Sequence, residues 1–147
     1  MRREEKRVHA ESRRARRGER RRGMDEAGKD RERTERVYRM AFGTVYPLYV
    51  KKAERKGRTK AEVDEVIAWL TGYSYEDIER LAADGTDIEA FFARAPRMNP
   101  NAGKITGLIC GVRVGEIADP VMRDVRRLDK LIDELAKGRP MEKVLRE

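Results

Sequence analysis

Three times between residues 59 and 96 the chain places a Ser or Thr just after a break and an acid three residues later. An apolar run at helical spacing then follows, closed by Gly or Pro. "TKAEVDEVIAWLTG" runs from Thr59 and Glu62 to Gly72, with Val63, Val66, Ile67 and Leu70 on one face. "SYEDIERLAADG" runs from Ser74 and Asp77 to Gly85, and "TDIEAFFARAP" from Thr86 and Glu89 to Pro96. A side-chain oxygen that accepts an orphan N–H, followed by a left-handed or helix-breaking residue, defines a short helix at both ends. No strand-rich fold accommodates three of these in succession, so an all-helical fold is expected.

The flanking segments extend the pattern. "TVYPLYVKKAERKG" reads as a helix with Thr44 as N-cap, Pro47 in its first turn, a basic C-terminal end and Gly57 just beyond it. "DPVMRDVRRLDKLIDELAKG" has Asp119 as N-cap, Pro120 at N1 and Gly138 at its end, with Val125, Leu128, Ile132 and Leu135 along one stripe. "PMEKVLRE" adds a final short turn, and "PRMNPNAG" is a loop by composition. "KITGLICGVRVGEI" is the ambiguous stretch. Its β-branched residues suggest a strand, but with no second strand-like run to pair with, it is expected to be a buried helix or helix-like turn, with Cys110 a small core residue. The expected architecture is a small orthogonal or irregular bundle of five or six short helices over residues 35–147.

Residues 1–34 carry too few apolar side chains to offset the entropy of ordering them, and a disordered basic tail is expected there. Residues 1–23 hold 11 basic and 4 acidic side chains, whereas residues 24–147 hold 24 and 23. The formal net charge of +8 therefore belongs almost wholly to the tail. Upstream of Met24, Arg greatly outnumbers Lys, as in-frame translation of a GC-rich leader gives. Residues 1–23 accordingly read as a start-site artefact, with a genuine polybasic arm as the alternative. Only in the second case does the charge argue for nucleic acid.

Several chemistries lack their residues. His9, in the tail, is the single histidine, so no Ser-His or Cys-His pair and no usual zinc site is expected in the folded part. Cys110 is the single cysteine, so no intrachain disulfide forms. Neither a phosphate-loop nor a dinucleotide motif occurs, and no cofactor or metal is expected. This inventory leans against an enzyme. The two helices over 59–83 resemble a helix-turn-helix in outline, but the second opens with Glu76 and Asp77, which would repel phosphates, so a plain helix corner is expected. Gly103, Gly107, Gly111 and Gly115 share a spacing that would let a neighbouring helix approach closely. Asp133 with Lys137, and Lys130 with Glu134, read as solvated i,i+4 pairs.

The segments "VYPLYV", "KGRTKAEVDEVI", "WLTGYS", "NPN", "ICGVRV" and "LDKLIDELAKG", in this order between Arg36 and Arg146, resemble the bacterial family known as domain of unknown function 2200. The chain departs from that pattern at Gly115, where an acidic residue is usual. The resemblance implies a small all-helical cytosolic domain and carries no activity, ligand or catalytic residue.

The functional expectation is a cytoplasmic, non-enzymatic helical module that binds a protein partner or itself. Its candidate surface is the aromatic group Tyr46, Tyr49, Trp69 and Tyr73, or the apolar seam of residues 120–137 if two copies associate. The alternative is nucleic-acid binding through the basic tail. A further candidate neighbourhood for a small ligand is Asn99, Asn101 and Arg113, where polar groups adjoin the Gly-rich apolar segment. No membrane association is expected, since the longest apolar run is far below the ~20 residues a spanning helix needs.

Overall fold

The computed structural model describes residues 28–29 and 31–147, and Val37–Glu147 form one compact unit. The start-site reading and most of the expected tail fall on residues outside the described ones; residues 28–29 and 31–39 are helical. The unit holds α1 (Phe42–Arg55), α2 (Lys60–Thr71), α3 (Tyr75–Ala83), α4 (Ile88–Ala93), α5 (Pro120–Ala136) and α6 (Met141–Val144). Between α4 and α5 lie two 3-10 turns, Pro100–Lys104 and Val114–Glu116, and a two-stranded hairpin. The protein is all-α apart from that hairpin.

The local signals build α2, α3 and α5 as expected. Thr59 and Glu62 form a reciprocal capping box, Ser74 accepts from Asp77 N–H, and Asp119 accepts from Val121 and Met122 N–H ahead of Pro120. Gly72 closes α2 in the left-handed region at φ 81°. Its position is fixed by space as well as by torsion, because a Cβ there would lie 2.9 Å from Arg97 N. The close approach lets the loop after α4 satisfy the orphan carbonyls of α2. Arg97 N–H donates to Thr71 O, Asn99 N–H to Leu70 O, and the Asn99 side chain to Trp69 O.

Two caps differ from expectation. At α4 the cap is Asp87, which accepts from Ala90 N–H, because Thr86 is engaged by the Asp84 carboxylate. At α1 the helix begins at Phe42, two residues before Thr44, with no side-chain cap. Phe42 N–H donates to Thr86 O and Ile88 N–H donates to Met40 O, so a tertiary bridge between the Ala41 and Asp87 segments starts the helix. Pro47 consequently lies in the helix interior, where its ring opposes the carbonyl of Gly43. Gly43 faces α3, and a Cβ at this position would meet Ala82 O at 2.1 Å. The close helix approach expected at the 103–115 glycines is therefore made at Gly43.

The segment 104–117 is the main correction. Leu108–Ile109 (β1) pairs antiparallel with Val112–Arg113 (β2), so the strand finds its partner inside the same apolar run. The turn is Cys110-Gly111, with φ 52° and 78°, the handedness that a two-residue hairpin requires. Cys110 is exposed at the tip and is not a core residue. Gly103 and Gly115 have open space around them.

Helices α1 and α5 run parallel. Tyr38 donates to Asp119, Tyr49 to Asp129 and Lys52 to Asp133, at separations of 81, 80 and 81 residues. A nearly constant offset from one end to the other requires the same direction, which the return through α2–α4 makes possible. The apolar stripe of α5 is buried in this unit: Leu131, Ile132 and Leu135 have no exposure and Leu128 almost none. The 120–137 seam is therefore core and not a surface for a second copy. At the centre Phe91 stacks on Phe42 (4.0 Å, 9°), with Tyr73 and Phe92 against its other sides at 5.0 and 5.1 Å. Each fully buried ring contributes on the order of 1.5–3 kcal/mol.

Asp133 pairs with Lys137 as expected, at 3.0 Å. Glu134 does not pair with Lys130. It is buried and held by both guanidinium nitrogens of Arg146 (2.9 and 2.8 Å) and by Arg139 (3.2 Å), which clasps the C-terminal residues onto α5. Lys130 instead donates to Leu108 O and steadies the hairpin.

Candidate functional site

The candidate aromatic group does not form one surface. Tyr46 and Tyr73 are buried, the first donating to Asp64 and the second to Phe91 O at 2.7 Å. Burial and the Asp64 carboxylate push the Tyr46 phenol up to about 12. Trp69 is half-buried beside the loop that caps α2. Asn99 is spent on that cap and on Asn101 N–H, while Arg113 lies on the exposed strand β2. Asn99 and Asn101 hold the loop after α4, and neither they nor Arg113 line the apolar groove beside Tyr49.

Tyr49 is the exception. It sits in a groove of about 260 Å³ built where α1, α4 and α5 meet. Val45, Leu48 and Tyr49 come from α1, Val37 and Met40 from the segment leading into it, and Ile88 and Phe92 from α4. Val125 and Leu128 of α5 form the floor, with Arg126 and Asp129 as its polar end. The geometry follows from the tertiary bridge at Ala41 and Asp87, which brings the start of α1 beside α4, and from the parallel course of α1 and α5.

Polar groups in the groove are already satisfied. Tyr49 donates to Asp129 Oδ1 at 2.5 Å, and Arg126 Nη1 lies 2.9 Å from Asp129 Oδ2. Burial, reinforced by the Asp129 charge, holds the Tyr49 phenol well above its ordinary range. The groove therefore presents apolar walls and a neutralised end. Its mouth carries Leu48 at 57% exposure and Met40 at 37%, two of the five large apolar side chains left exposed among the described residues. A volume of about 260 Å³ lies below the ~300–1,000 Å³ of most small-molecule pockets and suits one or two large side chains.

Met40, Leu48, Ile88, Phe92 and Arg126 were not singled out from sequence. Leu48 alone carried a signal, since it is apolar yet off the Phe42/Tyr46/Tyr49/Ala53 stripe of its helix. Among the described residues no group of three or more His, Cys, Asp or Glu side chains could hold a metal ion. No helix among them is long and apolar enough to cross a membrane.

Comparison with known proteins agrees with this architecture. The crystal structure of uncharacterized protein SP1917 is similar at 44% identity and a TM-score of 0.73, covering 76% of this chain and 91% of that one. No curated protein matches. The family profile described as "Uncharacterized protein conserved in bacteria (DUF2200)" matches residues 36–146, which is the whole compact unit except Glu147. The chain belongs to this bacterial family, DUF2200.

Proposed function

We propose that the protein is a cytoplasmic helical binding module whose α1/α4/α5 groove receives apolar side chains of a protein partner. The observation that carries this reading is the groove itself: apolar walls, polar end groups paired with each other, and Leu48 and Met40 held exposed at the mouth. An isolated exposed apolar residue needs no explanation, but two at the rim of a side-chain-sized groove match the anchor pockets of protein interfaces. The pairing of Arg126, Asp129 and Tyr49 favours binding over catalysis, because none of the three is left poised for proton transfer.

A methyl-detected NMR titration with an amphipathic helical peptide tests the reading. Shifts confined to Met40, Val45, Leu48 and Val125, and lost in Leu48→Asp with the fold intact, are the expected result. Shifts elsewhere, or none, would remove the groove from consideration.

Nucleic-acid binding is the second reading, and the charge of residues 1–23 favours it. It predicts a steep salt dependence that disappears when those residues are deleted.

A further inference from the structure

We infer that the partner segment is an acidic amphipathic helix, lying along α1 with its apolar anchors in the groove and its carboxylates on Lys51 and Arg55. This rests on the groove reading above and adds the chemistry of the occupant. Leu48, Lys51, Lys52 and Arg55 stand at helical offsets of three, four and seven, so they share one face of α1. Lys52 is committed to Asp133 at 3.3 Å. Lys51 and Arg55 are exposed and have no ion-pair partner among the described residues. The anchor position thus continues directly into two cations that no ion pair within the unit engages.

On α1 itself the acid is Glu54, exposed and in no ion pair with either cation, and a further group of acids lies on another helix. Glu76, Asp77 and Asp84 are on or beside α3, where Arg80 pairs with both aspartates. Glu89, exposed on α4 next to Ile88 of the groove wall, gives the opposite side of the groove the other sign. A docking helix with acids on one flank is therefore oriented as well as attracted. Since α1 has 14 residues, about 21 Å of helix length is available to it. A segment of about four turns fills that length and presents anchors to the groove at i and i+4.

Charge also decides against two other occupants. The chain's own residues 1–23, with 11 basic and 4 acidic side chains, carry the wrong sign. A second copy would have to offer its acidic α3 patch, which is a different surface from the groove. That contact is heterologous and propagates instead of closing into a dimer.

The test uses the full chain and two labelled peptides of about 16 residues that share Leu and Phe anchors, one flanked by Glu and one by Lys. Fluorescence anisotropy is expected to show the Glu peptide binding at least about tenfold more tightly at low salt, with the preference shrinking in high salt. Lys51→Glu with Arg55→Glu should invert the preference, and Lys51→Gln with Arg55→Gln should abolish it. Leu48→Asp should weaken both peptides. Circular dichroism confirms that each variant is folded.

If Leu48→Asp weakens both peptides but the charge variants leave the preference unchanged, the groove reading stands and the acidic partner is wrong. If neither peptide binds, or Leu48→Asp changes nothing, both fail. Competition of a single-stranded DNA oligomer with the Glu peptide, lost in the same charge variants, would reassign the cations to nucleic acid. Concentration-dependent mass growth in light scattering would reassign the groove to a second copy.

Discussion

Tyr49 and Asp129 are 80 residues apart in the chain, yet the phenol donates to the carboxylate at 2.5 Å. The contact stands between Tyr38–Asp119 and Lys52–Asp133, so three side chains from the first part of the compact unit meet the cap of α5 and two aspartates along it at a nearly constant offset. Each aspartate accepts from a donor across the parallel pair, and the middle rung, Tyr49–Asp129, supplies the polar end of the groove.

Tyr49→Phe should lose a hydrogen bond to a charged acceptor and lower stability by about 1.5–3 kcal/mol. Asp129→Asn should cost a similar amount, and the double variant less than the sum, because the two share one interaction. Urea unfolding of the four proteins measures the coupling; strict additivity would show that the contact contributes little.

Glu134 is 6% exposed and is satisfied by Arg146 and Arg139 from outside its helix. Arg146→Ala should leave most of a buried charge uncompensated and cost about 3–5 kcal/mol, partly recovered in Glu134→Gln/Arg146→Ala. Thermal unfolding reads this as a large drop in Tm for the single variant and a smaller one for the double.

Gly43→Ala improves helix propensity but drives a Cβ to 2.1 Å from Ala82 O. Backbone cannot yield as a flexible side chain can, so α1 and α3 must separate. A net loss of about 1–3 kcal/mol is expected. Gly103→Ala, with nothing within 4 Å, should stay within about 0.5 kcal/mol of the parent. Chemical denaturation of both variants gives the comparison.

Cys110 adopts φ 52° at the hairpin tip. Asn or Gly enters this region more easily, and Asn-Gly is the favoured pair for such a turn. Cys110→Asn should therefore stabilise by up to about 1 kcal/mol, whereas Cys110→Val should destabilise, both read from Tm.

The phenols of Tyr38 and Tyr46 are raised from 10.0 to about 12 by burial and by Asp119 and Asp64, and those of Tyr49 and Tyr73 are raised as well. A phenol held protonated in the folded state contributes stability below pH 10, its ordinary value, which is lost as pH rises through its folded value. Stability should hold up to about pH 10 and fall steeply toward pH 12. Asp119 and Asp133, both lowered from 3.8, add a second loss as pH falls through and below that value. Denaturant midpoints across pH, with phenolate absorbance on the alkaline side, check both limbs.

Much of the fold was legible from sequence because its signals are local. A capping box, an Asp-Pro start and a glycine in the left-handed region act within one turn, so Thr59, Ser74, Asp119 and Gly72 announced their helices. The stripe Val125/Leu128/Ile132/Leu135 likewise identified the face of α5 that is buried. Two of the expectations that failed depended on a partner beyond the local turn. Thr44 looked like the start of α1, but the hydrogen bond from Phe42 to Thr86 O started it earlier. Glu134 looked solvated until Arg146 folded back onto it. The hairpin was missed because its partner strand lies two residues away inside the same apolar run.

The helical class, most helix ends and the division between a basic lead and a near-neutral unit follow from short-range hydrogen bonding and composition alone. Tertiary structure decided the parallel course of α1 and α5, the clasp on Glu134 and the groove beside Leu48. The helix pair and the groove depend on which faces meet across some 80 residues of chain, and the clasp on a side chain 12 residues away; helical periodicity names a face without naming its neighbour.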